Sequence, residues 1–428
     1  MFVNDRSVKT EQGVNMEHAD IIKAAINAWA KSGFSSTSLN DVAKELGVTK
    51  QAIYRYYPGK DALIEAIRDE VDRLHRAHYE ALRAAMETAE SFKEAMELFV
   101  YAKADSLYTH PAEYLFFFVP PNVKIYTEQF PEFYSGMEKR EKELFLSLFD
   151  KTGAPVLDER QLDTAYVLVQ TTSALGLLKP LMEKYKEGSS VSKEELSVIK
   201  QIVVETLCIG ICREDAVLEP VDAEYVANIA KVEKEELPEL HKIFEVVEKL
   251  INTKGMRGTS LGEVARELGM SKSSLYSHFK DKESMIKTVM VNQIKGFMDP
   301  LVTRLAMCRN TQEKVLCYIL YSAAYVELHS RILGIMAWLR LNLPMPHQEE
   351  KKEQDFFGQY QGLYGIFAGL PLKEEVKQHK PMLYLHALIF SSLERKPGKF
   401  FSPEDAKDIY AFFLRGLFGM ANKDKFFI

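Results

Sequence analysis

Apolar residues recur at helical spacing along nearly the whole chain. Leu39, Val42, Ala43 and Leu46 fall at i, i+3, i+4 and i+7, which places them on one face of a helix. Leu261, Val264, Ala265 and Leu268 repeat that stripe far downstream. Ile53 and Tyr57, and later Leu275 and Phe279, mark the buried side of a following helix at i, i+4. Long amphipathic stretches follow each pair. No segment shows the strict alternation expected of a half-buried strand. The pattern predicts an all-α fold in two tandem halves, each a short helical head followed by a helical body. The expected boundaries are a head at 16–63, a body at 64–213, an acidic linker at 214–239, a second head at 240–286 and a second body at 287–422.

The residues between the stripes predict how the helices begin and end. Ser38 stands three positions before Asp41, and Ser260 three before Glu263, the spacing of a capping box. Gly47 and Gly269 follow the last apolar position, where a left-handed residue closes a helix without a Cβ penalty. Thr49 and Ser271 then cap the next helix. Ala43 and Ala265 are small enough to let that helix approach, and Val48 and Met270 fill the turn. Each copy therefore reads as a helix-turn-helix. The copies at 33–63 and 255–285 align without a gap. Gly33/Gly255, Thr37/Thr259, Ser38/Ser260, Glu45/Glu267, Lys50/Lys272, Tyr54/Tyr276 and Lys60/Lys282 are among the identical pairs.

Lys50, Gln51, Tyr54 and Arg55 lie off the buried stripe, as do Lys272, Ser273, Tyr276 and Ser277. In a DNA-reading helix-turn-helix, that free face enters the major groove. Arg pairs with guanine and Gln with adenine. Lys60 and Lys282 begin another helix, where a cation and the helix N-terminus suit a phosphate. The net charge of −6 argues at first against nucleic acid. The local balance reverses that argument, because salt screens charges beyond about 8–10 Å. Residues 49–60 hold Lys50, Arg55 and Lys60 with no acid, and 271–282 hold Lys272, Lys280 and Lys282 against Asp281 alone.

The two motifs resemble the DNA-binding head of the TetR (tetracycline repressor) family of bacterial regulators. The likeness covers about fifty residues in each half, on the order of one small domain each. It implies a three-helix head, a ligand-sensing helical body, and a two-fold dimer joined through the last two long helices of each body. It also implies that Thr37, Tyr54, Tyr56 and Lys60, with Thr259, Tyr276, His278 and Lys282, contact phosphates. Lys50, Gln51 and Arg55, with Lys272, Ser273 and Ser277, would face bases. Such regulators carry one head per chain, whereas this chain carries two. The expectation is an intramolecular pseudo-dimer, paired through 161–185 and 192–212 of the first half and 374–395 and 403–420 of the second. Val167, Leu168, Leu175, Leu178, Ile202, Val203 and Leu207 supply apolar faces on one side, and Leu383, Leu388, Ile389, Phe412, Phe413 and Leu417 on the other. Asp222 could cap a short helix inside the linker. Extended, that linker could reach on the order of 80 Å, enough to lead from one body to the next head.

Tyr114, Phe117, Phe118 and Tyr126, with Trp338 and Tyr360, are candidates for an apolar or aromatic effector site, with Glu113, Lys124 and Arg340 orienting a polar end. His75 and His78 read as solvated surface, and Cys208 and Cys212 as small core residues. Neither pair has a third ligand beside it, so no metal is expected. No phosphate loop, dinucleotide fingerprint or nucleophile elbow is present, so neither a cofactor nor enzymatic activity is expected. The 4 cysteines form no disulfide framework, which suits a reducing cytoplasm. The first residues lack a signal peptide's apolar core, and no run is long enough to span a bilayer. The function expected is a cytoplasmic, ligand-responsive repressor that binds a pseudo-palindromic or asymmetric operator in double-stranded DNA. Its two heads would grip major-groove faces about 34–36 Å apart. The competing expectation is a ligand-binding or scaffold protein with vestigial heads. A single chain is expected to suffice; a homodimer with four heads is the alternative assembly.

Overall fold

In the computed structural model, described for residues 8–9, 15–32, 38–118, 130–237, 242–243, 245–247, 249–250, 260–330, 333, 365–377, 381–394 and 401–428, the chain is overwhelmingly helical. The one sheet among the described residues is a ladder of β1 (Val8–Lys9) and β2 (Asn15–Met16), with Val8 opposite Met16. Two residues per strand are too few to display an alternation, so the hydropathy pattern does not reveal it. The chain packs as two compact units. One contains 1–156 and 173–204, the other 157–172 and 205–428. The second unit therefore takes in parts of the first sequence half.

The first unit opens with α1 (His18–Ser32), α2 (Leu39–Glu45) and α3 (Lys50–Tyr54). Their core joins Ile21, Ala25, Leu39, Val42, Ala43 and Ile53. It also includes Ala112 of α6 (Pro111–Phe118) and Phe130, so this head shares its core with its body. α4 (Lys60–Thr88) leaves the head and buries Ile67, Val71, His75, Tyr79, Leu82 and Met86 along one stripe. α5 (Phe92–Thr109) and α7 (Pro131–Ser147) pack beside it. α8 (Glu159–Ser173) runs through a π-helical turn, Ala174–Leu178, into α9 (Lys179–Lys186). Leu175, Leu178, Ile202 and Val203 fall in the first unit, where Val203 closes on Gly176.

The second unit holds the other head, of which α12 (Leu261–Glu267) and α13 (Lys272–His278) are described, followed by α14 (Lys282–Met307) and α15 (Thr311–Leu328). Ile243, Val247, Leu261, Val264, Ala265 and Leu275 form the head core. α16 (Glu374–Lys377), α17 (Pro381–Glu394) and α18 (Pro403–Ala421) complete the body. Against them pack α8 up to Thr172 and the end of α10 (Lys193–Ile209). Val167, Leu168, Leu207, Leu388, Ile389, Phe412, Phe413 and Leu417 are all buried. Thr172 Oγ1 lies 2.9 Å from the Tyr384 hydroxyl. Arg160 reaches Asp405 and Asp408, and Gln161 Nε2 donates to Asp408 at 3.2 Å and to the Met420 carbonyl at 3.1 Å.

One close backbone approach is reciprocal. Gly210 ends α10 with φ 69°, and Gly416 kinks α18 with φ 62°. A Cβ on Gly210 would sit 2.5 Å from the Leu414 carbonyl oxygen, and a Cβ on Gly416 would sit 2.5 Å from that of Cys208. Each glycine thus meets the residues just before the other, the mutual pattern of a two-fold contact. Ile211 N–H donates to Phe413 O and Cys212 N–H to Leu414 O, both at 3.2 Å.

The acidic segment after this crossing is part of the second unit's packing. Asp222 caps α11 (Ala223–Ile229) by accepting from Tyr225 N–H at 2.9 Å. The Tyr225 hydroxyl donates to Met307 O, Arg309 stacks over the Tyr225 ring at 4.1 Å, and Arg304 holds Glu236 at 2.6 Å. Val221 N–H donates to Phe426 O, and Ile428 N–H to Val221 O. The four cysteines are buried free thiols, Cys208 and Cys212 included.

Candidate nucleic-acid interface

Each described head helix is set by the local chemistry that its sequence predicts. Ser38 N–H and Oγ donate to Asp41 at 2.7 and 2.8 Å. In the second head Ser260 N–H donates to Glu263 at 3.1 Å, and Ser260 Oγ accepts from Glu263 N–H at 3.3 Å. Gly47 and Gly269 stand at φ 63° and 67°. Val48 N–H donates to Ala43 O and Met270 N–H to Ala265 O, both at 2.9 Å, so each turn closes in a Schellman motif. Thr49 Oγ1 accepts from Ala52 N–H, and Ser271 Oγ from Ser274 N–H. The Thr49 cap keeps a hydroxyl proton to donate outward, while Ser271 Oγ also pairs with Ser273 Oγ at 2.9 Å.

The turns fix which face of the next helix looks outward. Ile53 and Leu275 are fully buried, while Tyr54 and Tyr276 are 45% and 47% exposed. Lys50 Nζ lies 5.4 Å from the Tyr54 ring centre, and Lys272 Nζ 5.8 Å from that of Tyr276. Both heads thus present the same cation-on-ring pair to solvent. Gln51 and Arg55 are exposed beside it in the first head, and Ser273 and Ser277 in the second. Lys60 begins α4 half-buried, and burial lowers the pKa of its ammonium against the opposing pull of Asp61. Tyr56 turns partly inward: its hydroxyl donates to Met16 O at 2.7 Å and its ring meets His18 edge-on. Thr37 and Thr259 lie outside the described residues, as do the side chains of His278 and Lys282.

Of the effector candidates, Tyr114 is half-buried on α6, with its hydroxyl 2.7 Å from Ser106 Oγ and its pKa raised by burial. Tyr126, Trp338, Tyr360, Lys124 and Arg340 lie outside the described residues, as do the side chains of Phe117 and Phe118. The expectation of a solvated His75 is corrected: it is only 4% exposed. It continues the stripe Ile67–Val71–Tyr79 at four-residue steps, a signal that a pair-wise view of His75 and His78 overlooks. Around it gather Asp72, His78, Lys103, Arg140 and Glu141. Arg140 holds Asp72 at 2.9 Å, and Lys103 lies 3.5 Å from Glu141. Burial would raise the Glu141 carboxyl, but Lys103 and His75 pull it down to about 2. In the second body the aromatic cluster of Phe297, Tyr318, Tyr321 and Tyr325 escaped sequence reasoning, and the buried Tyr325 hydroxyl has no hydrogen-bond partner among the described residues. Tyr318, Tyr321 and Tyr325 share one face of α15 at i, i+3 and i+7, but Val315, Leu316, Cys317 and Ile319 are buried around it too, so that stripe does not stand out, and Phe297 joins it from α14. No group of three His, Cys, Asp or Glu that could hold a metal ion occurs among the described residues. No described helix is long and apolar enough to cross a membrane.

His78 gives this cluster a measurable consequence. Burial, then the charges of His75 and Lys103, lower its pKa from 6.5 to about 4. The unfolded chain therefore binds a proton that the fold refuses between those values, and stability drops as pH falls through them. Between pH 7 and about 4.5 the loss from this group is about 2 kcal/mol. His78→Gln is expected to flatten the fall, read by urea unfolding at both pH values. An unchanged slope would show that His78 titrates normally.

The site is that of a helix-turn-helix protein with two heads. Both heads match the model of bacterial regulatory proteins of the tetR family, over residues 21–67 and 243–289. The chain thus carries two matches to that family in tandem, one in each head. It is 36% identical over 77 residues to the HTH-type transcriptional regulator TtgR of Pseudomonas putida, which is 18% of this chain and 35% of that protein. To the HTH-type transcriptional regulator AcrR of Shigella flexneri it is 34% identical over 62 residues, 14% of this chain and 29% of that protein. The likeness thus spans about a third of the relatives' own length.

Proposed function

We propose that the chain is a DNA-binding transcriptional regulator, a ligand-responsive repressor in which one polypeptide supplies both heads and reads a pseudo-palindromic or asymmetric operator. The observation that carries this reading is the exposed Lys–Tyr pair, built identically at Lys50–Tyr54 and Lys272–Tyr276. A half-exposed aromatic under a cation serves no core, and it suits a phosphate with a sugar beside it. The reciprocal Gly210–Gly416 crossing supports a monomeric pseudo-dimer, because it places a two-fold-like contact between the two sequence halves within one chain. The shared core of the first head and α6 supports effector response, since Ala112 packs in that core two residues from Tyr114. An effector acts only through a difference in affinity between two states of such an element.

The test is binding to genomic DNA fragments across salt. Affinity is expected to fall at least about a hundredfold between 50 and 200 mM salt. Lys50→Ala and Lys272→Ala should each lower the salt slope by about 1. Salt-independent binding, or no binding, sinks the reading. Sedimentation of the complex is expected to return one chain per duplex.

A further inference from the structure

The two heads share their anchoring groups and differ in their reading groups. Thr49 and Ser271 cap with the same hydrogen bond, and Lys50 and Lys272 lie over equivalent rings. Beyond these the faces diverge. In the first head Gln51 and Arg55 stand four residues apart on one exposed side of the turn, and neither side chain bonds any described residue. Both end in planar forks that match a base edge bidentately. In the second head the same places hold Ser273 and Ser277. A serine hydroxyl lies one bond beyond Cβ and has a single proton. Ser277 donates that proton to Ser274 O at 2.6 Å, and Ser273 Oγ pairs with Ser271 Oγ at 2.9 Å. These hydroxyls are turned onto their own helix.

We propose that the heads divide the work: the first discriminates bases through Gln51 and Arg55, and the second clamps the duplex backbone with little sequence preference. This rests on the DNA-binding reading above and specifies its partner, an operator with one informative half-site and one permissive half-site. The lysines common to both heads supply the same contact to each, so the excess information belongs to Gln51 and Arg55. Net specificity is then set by one half-site, while both halves contribute to the salt-dependent attraction.

The experiment selects bound sequences from a random duplex pool, then measures affinity for single base-pair changes across both half-sites. Changes in one half-site are expected to cost roughly ten- to a hundredfold each. Changes in the other should cost less than about threefold by comparison. Gln51→Ser with Arg55→Ser is expected to remove the strong discrimination. Ser273→Gln with Ser277→Arg is expected to create it in the permissive half-site, a gain that a misfolded variant cannot produce. Equal discrimination in both half-sites of the unaltered chain overturns the proposal and leaves the DNA-binding reading standing. So does strong discrimination that survives loss of Gln51 and Arg55. Absence of salt-dependent binding overturns both.

Discussion

Gly210→Ala and Gly416→Ala are each expected to destabilise the second unit by about 2–5 kcal/mol, the sum of two costs. The first is conformational. At φ 69° and 62° a Cβ meets its own backbone, which costs about 1–2 kcal/mol. The second is collision. Either Cβ would lie 2.5 Å from a carbonyl oxygen of the opposing segment, and backbone cannot swing aside as a side chain can. Overpacking of that kind costs about 1–3 kcal/mol. Gly153→Ala separates the two costs: it has φ 79° but nothing within 4 Å, so about 1 kcal/mol is expected there. Thermal and urea unfolding of the three variants provide the comparison. If all three lose the same amount, the crossing is loose and the reciprocal contact does not hold the tandem halves together. The hydrogen bonds beside the crossing sharpen the expectation. Separating the segments would break Ile211 N–H to Phe413 O and Cys212 N–H to Leu414 O together. Arg415, which donates to the carbonyls of Arg213 and Ala216, would be pulled with them.

Asp408→Ala is expected to cost about 3 kcal/mol, the lower part of the range for removing one member of a buried ion pair. Asp408 is fully buried on α18. Its carboxylate accepts from Arg160 and Gln161 and lies 3.1 Å from Lys423 Nζ. The loss is held toward the low end because the cations keep other partners, Arg160 with Asp405 and Lys423 with Glu404. Arg160 is also about a third exposed, so water can recover part of its charge. Arg160→Ala in the same background measures the pair itself. A coupling of about 1–3 kcal/mol is expected from the double-mutant cycle. Additive losses would mean that the cluster contributes only through packing. Asp408 has no obvious partner in the linear sequence, because Arg160 and Gln161 are distant along the chain. Among α18's apolar residues it looks like a polar interruption until α8 is laid against it.

The heads were the most legible part of the chain. Capping boxes, the left-handed glycines and the i, i+4 buried pairs are local features, and each is decided within about two helical turns. The long helix from Lys60 to Thr88 was equally legible, because its stripe is continuous. His75 is buried because its place on that stripe outweighs its polar residue type. The acidic segment reads as a spacer, yet it docks through Asp222, Tyr225 and Glu236, whose partners Arg309, Met307 and Arg304 lie just beyond α14, at its end and on it. Tyr56 looked like its exposed neighbours, yet its hydroxyl finds Met16 O, which is remote in sequence.

The sequence by itself determined that this protein is helical, that it carries two helix-turn-helix heads, and which side of the helix after each turn faces water. Those properties follow from spacing and backbone preference over a few residues. The family resemblance implied that 161–185 and 192–212 pair with the second body; only the tertiary structure decided that α8 up to Thr172 and the end of α10 join it while 173–204 stay with the first unit. It alone set Gly210 against Gly416, placed Asp408 over Arg160, and folded the acidic segment into the second unit. Each of these depends on which distant surface removes a given side chain from water. That choice is a property of complementary faces, and one-dimensional periodicity carries no record of it.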